Sequence, residues 1–277
     1  MTTIKRGFAD LPHGQMHYRH AGEGAPLLTL HASPGSSRQM LGLIGEFAKS
    51  HRVLAPDTPG NGDSEPLFDR EPTIVDLAIA MTKFLDALQV EKVDLYGSHT
   101  GAAIASELAI LAPDRINAVV LDGVSVLTPA ELEEILARYA FPFPPDQDGM
   151  YLTRIFQFCR DQYLFYPWYD RTRSGRRDNG LGSAADMRAL LLEVLKASET
   201  YHFNYRAAFK WDAGERLPLI TRPILLTAAE NDPLLASTEA LASLLPGSGY
   251  VRLPRFDAQD FAAKRAAAIR EFLADHL

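Results

Sequence analysis

The stretch Val93-Asp94-Leu95-Tyr96-Gly97-Ser98-His99-Thr100-Gly101-Ala102 decides the fold. Val93 to Tyr96 is an apolar run of strand length, and a helix is expected from about Ala102 to Leu111. Between them lies a five-residue turn with glycine at both ends. A strand that turns this sharply into a helix holds its central residue in an unfavourable backbone conformation, and the flanking residues must be small enough to pack closely. The central residue then projects above the helix N-terminus. Here it is His99.

The same rhythm extends in both directions. Gln15 to His20 reads as an early strand. Leu27 to Leu30 is a buried strand stopped by His31-Ala32-Ser33-Pro34-Gly35, and Arg52 to Ala55 is another, stopped by Pro56-Asp57-Thr58-Pro59-Gly60. Ile74, Leu77, Ala78, Met81, Leu85 and Leu88 recur at helical spacing. Ile116 to Leu121, Pro223 to Thr227 and Tyr250 to Leu253 are later strands, and Ala262 to Leu273 is a closing helix. Strands alternating with helices imply a mostly parallel sheet covered on both faces.

From about Ser125 to Arg216 the rhythm breaks. This stretch carries Pro129, Pro142, Pro144, Pro145 and Pro167, a basic segment Arg171 to Arg177, and 16 of the chain's 26 aromatic residues. Because the strand and helix pattern resumes afterwards, the segment is expected to be a helical insertion closing over a pocket. Residues 1–124 and 217–277 are then the core, and 125–216 the cap.

Composition narrows the function classes. With 277 residues, 47% hydrophobic and 23% charged, the chain is long enough for a large core and has an ordinary globular balance. The formal charge of −7 argues against nucleic acid as its main partner. The longest weakly polar run, Gly101 to Ala112, is interrupted by Glu107 and is too short to span a bilayer. The segment MTTIKRGFAD has no apolar signal core, and the lone Cys159 forms no internal disulfide, so a cytoplasmic location is expected. The expected partner is a small-molecule substrate, with neither nucleic acid nor membrane involved and a homodimer left open. No phosphate loop, dinucleotide fingerprint or metal-spaced histidine pair is present, so neither cofactor nor metal is expected.

With the glycine-bounded turn, the loop His31 to Gly35, the segment Pro56 to Ser64 and the turn Glu230-Asn231-Asp232-Pro233, the chain resembles the α/β-hydrolase superfamily. The resemblance is in particular to its lidded esterases, carbon–carbon hydrolases, epoxide hydrolases and dehalogenases. The resemblance covers all but the cap. It implies an α/β fold with an eight-stranded sheet, a site at the strand C-terminal ends, Asp232 as the site acid with Asp122 as the alternative position, and an oxyanion hole from the Ser33 and Thr100 amides. Two features depart from that pattern. The family nucleophile is Ser, Asp or Cys, and His99 at that position is none of these; the family base is a histidine after the acid, and none lies between Asp232 and His276.

His99 is therefore the residue expected to carry proton transfer or nucleophilic attack on a small apolar or aromatic carbonyl compound, in hydrolysis or in lyase or isomerase chemistry. A non-catalytic binder that has lost turnover is the rival reading. A nearby carboxylate would raise the imidazole pKa, and burial and the helix N-terminus would lower it. Ser98 is a weaker candidate for a displaced nucleophile, and Asp257 stands near where the base histidine is missing. His31, Trp168, Tyr169 and His202 are expected in the substrate pocket, with Tyr201, Phe203, Tyr205 and Trp211 as further aromatic candidates.

Overall fold

The computed structural model describes residues 3–12, 14–66 and 70–276. The strands are β1 (Lys5–Leu11), β2 (Gly14–Ala21), β3 (Ala25–Leu30), β4 (His51–Pro56), β5 (Val93–Ser98), β6 (Ile116–Asp122), β7 (Ile224–Ala229) and β8 (Gly249–Leu253). They form one eight-stranded sheet in the order β1-β2-β4-β3-β5-β6-β7-β8. β1 and β2 run antiparallel, and β4 onward are parallel. The parallel centre is apolar on both faces because helices cover both.

The helices are α1 (Leu41–Phe47), α2 (Ile74–Ala87), α3 (Thr100–Leu111), α4 (Pro129–Arg138), α5 (Met150–Leu164), α6 (Ala184–Lys196), α7 (Tyr201–Phe209), α8 (Ala213–Arg216), α9 (Leu235–Leu244) and α10 (Phe261–Ala274). Two large apolar clusters sandwich the sheet. One joins α2 and α3 to it through Met81, Phe84, Ile104 and Leu108; the other joins α1 and α10 through Phe47, Tyr96, Val120 and Ile269. α2, α4 and α6 each start with a hydroxyl–carboxylate capping box, Thr73/Asp76, Thr128/Glu131 and Ser183/Asp186. Each cap hydroxyl satisfies an otherwise orphan N–H and stabilises its helix by about 0.5–2 kcal/mol.

Between β6 and β7 the chain adds no strand to the sheet. α4 to α7 instead build a third apolar cluster of their own, centred on Ile155, Phe158, Cys159, Val194 and Tyr201. Seams of polar contacts hold this layer on the sheet. Asn204 Nδ2 donates to Thr58 Oγ1 at 2.8 Å, Thr200 Oγ1 to the Gly60 carbonyl at 2.6 Å, and Arg206 Nε to Glu71 at 3.0 Å. Among the described residues, no helix is long and apolar enough to cross a membrane.

Candidate active site

The β5–α3 turn places His99 at φ 50 and ψ −109, a strained conformation for a non-glycine residue that costs on the order of 1–3 kcal/mol. Close packing fixes it. A Cβ on Gly97 would lie 2.2 Å from the Gly101 carbonyl oxygen, and one on Gly101 would lie 2.3 Å from that of Leu30. The His99 amide donates to the Asp122 carbonyl at 2.9 Å, tying the turn to the end of β6.

The imidazole meets the acid turn after β7. His99 Nε2 lies 2.8 Å from Asp232 Oδ2, and Asp232 Oδ1 accepts from the Leu234 amide at 2.7 Å. Both carboxylate oxygens are thereby engaged, and Nδ1 is the ring nitrogen left for a ligand. The Asp232 side chain is 2% exposed and that of His99 31%, the exposure being toward a cavity. Burial pushes the imidazole pKa down, yet the charge and hydrogen bond of Asp232, with a contribution from Asp122, outweigh it and leave His99 raised. Burial pushes Asp232 up, and His99, the Leu234 amide and Arg177 outweigh it and leave the carboxyl lowered. The two directions agree: the environment favours an imidazolium–carboxylate pair.

The floor under this pair is Gly123. With φ +74, it sits where an added Cβ would be 2.6 Å from His99 Cδ2, 2.7 Å from Nε2 and 3.3 Å from Asp232 Oδ2. A ring as wide as imidazole fits at this turn because β6 is followed by a residue without a side chain.

The cavity has a volume of about 200 Å³. Core residues Ser33, His99, Thr100 and Leu234 line one side, and Tyr139, Gln162, Tyr166, Arg177, Tyr205 and Trp211 the other. Neither the Ser33 nor the Thr100 amide is taken by a protein acceptor among the described residues. Trp211 is held by its indole N–H, which donates to Glu107 of α3 at 2.8 Å, and Arg216 binds the same carboxylate through Nε at 2.6 Å. Burial pushes the Tyr139 and Tyr205 phenols far up and Tyr166 to about 12, so all three remain neutral donors at any ordinary pH. Burial lowers the Arg177 guanidinium, against the attraction of Asp232, Tyr139 and Tyr166. Among the described residues that line the cavity, it is the arginine or lysine facing the site.

Several expected residues stand elsewhere. The Asp122 carboxylate turns away from His99, accepting from Tyr96 Oη at 2.5 Å and Thr227 Oγ1 at 3.0 Å, and burial raises its pKa. It is therefore not the acid paired with the histidine. His31 is 1% exposed and braces its loop, with Nδ1 on the Ala32 carbonyl at 2.9 Å and Nε2 accepting from the Thr58 amide at 2.9 Å; it does not line the cavity. Trp168 and Tyr169 belong to the apolar cluster of the inserted helices, the first with its indole N–H on the Tyr139 carbonyl and the second stacked under Arg138. His202 packs on Phe203 outside the cavity, Tyr201 is in the same helical cluster, and Ser98 ends β5 without reaching the cavity. Asp257 is taken by Arg255 at 3.0 Å. Sequence reasoning named Tyr205 and Trp211 and missed Tyr139, Gln162, Tyr166 and Arg177, for which the only signal was membership of an aromatic and basic insertion.

A sheet of this order, with a strained elbow and an acid turn at its C-terminal edge, defines a hydrolase-fold protein, and the chain belongs to the alpha/beta hydrolase fold family, which it matches over residues 25–257. A 2-hydroxy-6-oxo-6-phenylhexa-2,4-dienoate hydrolase of Comamonas testosteroni is 33% identical over 257 residues, 89% of this chain and 85% of that protein. The 2-hydroxymuconate semialdehyde hydrolase of Pseudomonas sp. (strain CF600) is 40% identical over 109 residues, which span 37% of this chain and 38% of that protein. Among solved structures, the enol-lactonase from Burkholderia xenovorans LB400 superposes with a TM-score of 0.74 at 22% identity, covering 97% of this chain and 100% of that one, a likeness of fold.

Proposed function

We propose that the protein is an enzyme that hydrolyses a small, largely apolar or aromatic carbonyl compound, with the His99–Asp232 dyad as its proton-transfer device. The observation that carries this reading is the 2.8 Å bond from His99 Nε2 to a buried carboxylate at the mouth of an open cavity. A sealed cavity, or a histidine without a carboxylate, would have favoured a binder that has lost turnover. The names of the relatives, hydrolases of oxo-dienoates, support a carbonyl substrate with anionic oxygen, and Arg177 across the cavity supplies the complementary charge.

With no hydroxyl at the centre of the elbow, the nucleophile is water. His99 Nδ1 takes a proton from that water as its oxygen adds to the carbonyl carbon. The negative charge goes to the carbonyl oxygen, which the Ser33 and Thr100 amides receive. Collapse reforms the carbonyl and breaks the bond to the leaving group, and the imidazolium returns its proton to that group. Asp232 holds the ring and stabilises the imidazolium it becomes. The segment 125–216 serves as the cap that excludes bulk water from this step.

A second reading follows from the same departure: without an acyl-enzyme, the dyad and oxyanion donors suffice for lyase or isomerase chemistry through an enolate. The test is turnover of 6-aryl-2-hydroxy-6-oxo-dienoates and of aryl esters by wild type, His99→Ala and His99→Ser. General-base catalysis is worth about 10²–10⁴-fold, so His99→Ala should lose at least the lower figure, with no rescue by His99→Ser. Full activity of His99→Ala refutes the dyad. Activity in His99→Ser points to an unrecognised base, and isomerised substrate in place of hydrolysis products selects the second reading.

A further inference from the structure

β1 is one edge of the sheet, and among the described residues no strand lies on its outer side. A row of unpaired N–H and C=O groups is a template for another chain, so the residues along it decide what it pairs with. The hydrogen bonds of β2 show which residues of β1 face outward. The His17 amide donates to Ser64 Oγ at 2.9 Å, and the His17 carbonyl accepts from the Asp57 amide at 2.8 Å. The Gln15 amide donates to the Glu65 carboxylate at 3.0 Å, and the Gln15 carbonyl accepts from the Glu65 amide at 3.1 Å. Both residues thus bond away from β1. In an antiparallel pair, residues directly opposite bond either both toward each other or both away. Phe8 and Asp10 stand opposite His17 and Gln15, so their backbone groups point to the free edge, and the alternation adds Arg6. Among the described residues, none of the three has a backbone partner there.

The side chains of Arg6, Phe8 and Asp10 share one face of β1, and all three are exposed, Phe8 by 55%. Their order is self-complementary. Laid antiparallel on a second copy with Phe8 against Phe8, β1 sets Arg6 opposite Asp10 of that copy and Asp10 opposite its Arg6, and each outward N–H meets an outward C=O. A slip of two residues in either direction puts a charge opposite Phe8, so the register is specified. The fold also leaves a charge for the second copy to answer. Arg6 stands directly opposite Arg19 of β2, and Arg19 Nε is buried without a partner among the described residues. Like charges directly opposite destabilise a sheet, and a carboxylate brought beside Arg6 relieves them.

We propose that β1 is a dimerisation edge whose partner is a second copy of this chain, joined antiparallel about a two-fold axis at Phe8 so that the two sheets become one. The contact is isologous and closes on itself, so this edge is used up and offers nothing to a third copy. One strand is a small contact, and dissociation is expected in the micromolar range.

The test is sedimentation velocity at low salt over a series from micromolar to submillimolar protein, with thermal melts to check that each variant folds. Wild type should pass from monomer to dimer across the series. Arg6→Asp and Asp10→Arg each replace two opposite-charge pairs by two like-charge pairs, and each should raise the dissociation constant at least about tenfold. Mixed in equal amounts, these two variants face each other with opposite charges again, and they should form a heterodimer within about threefold of the wild-type constant. The double variant Arg6→Asp/Asp10→Arg should recover a homodimer for the same reason. Phe8→Pro removes an outward N–H but no bond between β1 and β2, so it should fold and stay monomeric. Should it fail to fold, the charge variants carry the test alone. A wild type that stays monomeric throughout, a dimer that the single reversals leave unchanged, or losses that neither mixing nor the double variant repairs, overturns the proposal.

Discussion

Adding one methyl group at Gly123 should dismantle the His99–Asp232 pair without touching either residue. Two effects add. At φ +74 an alanine is strained, at about 1–3 kcal/mol. Its Cβ would also lie 2.7 Å from His99 Nε2 and 3.3 Å from Asp232 Oδ2. Both neighbours are poorly placed to yield, since His99 is pinned by its tight turn and Asp232 by the Leu234 amide. The ring must move off the carboxylate, and a hydrogen bond to a charged group is worth about 1.5–3 kcal/mol. A loss of ~3–5 kcal/mol is expected for Gly123→Ala in urea unfolding. Gly247→Ala is the control, because Gly247 has φ +83 but open space around its Cβ position, so that variant carries the backbone strain alone. The second readout is the His99 titration by NMR, assigned by comparison with His99→Ala: its pKa, raised in the wild type by Asp232, should fall in Gly123→Ala and stay in place in Gly247→Ala. If Gly123→Ala costs no more than Gly247→Ala and the titration does not move, Gly123 is not the floor of the site.

Because His99 is raised and Asp232 lowered when folded, their pairing stabilises fully between the ordinary carboxylate and imidazole values. That stability is lost as pH rises through the folded His99 value and as it falls through that of Asp232; urea melts across pH should therefore show Asp232→Asn most destabilised between about pH 4 and 6.5. If neutral His99 is the base, kcat/KM should rise with pH along a limb above 6.5, and Asp232→Asn should move that limb to lower pH. Asp57, held at about 2 against burial by hydrogen bonds with His17, Ser37 and the Asp63 amide, contributes stability above its ordinary value of 3.8 that is lost as pH falls toward 2, so acid unfolding of Asp57→Asn should show a shallower pH dependence than wild type. Glu107→Gln should cost about 2 kcal/mol in thermal or urea melts, less than for a fully buried pair because Arg216 is partly exposed, and should shift Trp211 fluorescence.

Much of this site was legible because it lies where local rules act. The strands and helices announce themselves by period and by their Pro and Gly stops, and the elbow and Asp232 sit at strand ends whose neighbours the sequence also displays. β1 escaped notice because Lys5–Leu11 is an edge strand with only Ala9 buried, so its apolar alternation is faint. The Asp122 alternative had a usable signal in strand alternation. Asp122 is two and four residues from Val120 and Ala118, which face α1 and α10, and its register partner Thr227 is two from Leu225 on that same face. Its carboxylate therefore points with Tyr96 into the α1/α10 side of the sheet and away from the elbow's pocket. The inserted helices had no such guide. Trp168 and Tyr166 are near neighbours of the same chemical kind in the segment after α5 and both pack against the helical cluster, yet Tyr166 lines the cavity and Trp168 does not, because packing between distant elements, and not local pattern, decides which side chain reaches it.

The substitution at the elbow changes the roles of its surroundings together. A serine there needs a base reaching in from after β8, and here that loop presents Phe256 to the cavity while Asp257 pairs with Arg255. A histidine needs no base. It needs an acceptor within direct reach and room for a ring, and Asp232 and Gly123 supply them. In the proposed mechanism the acid turn, which in a three-residue relay would act through an intermediate histidine, acts on the elbow residue itself, and the relay is one residue shorter. In that mechanism a serine acyl-enzyme is absent with the hydroxyl, while the amides of Ser33 and Thr100 are backbone groups that the change of side chain leaves in place. Stoichiometric labelling of the elbow by a fluorophosphonate would contradict this account at its root, since Ser98 lies outside the cavity and His99 carries no hydroxyl to label.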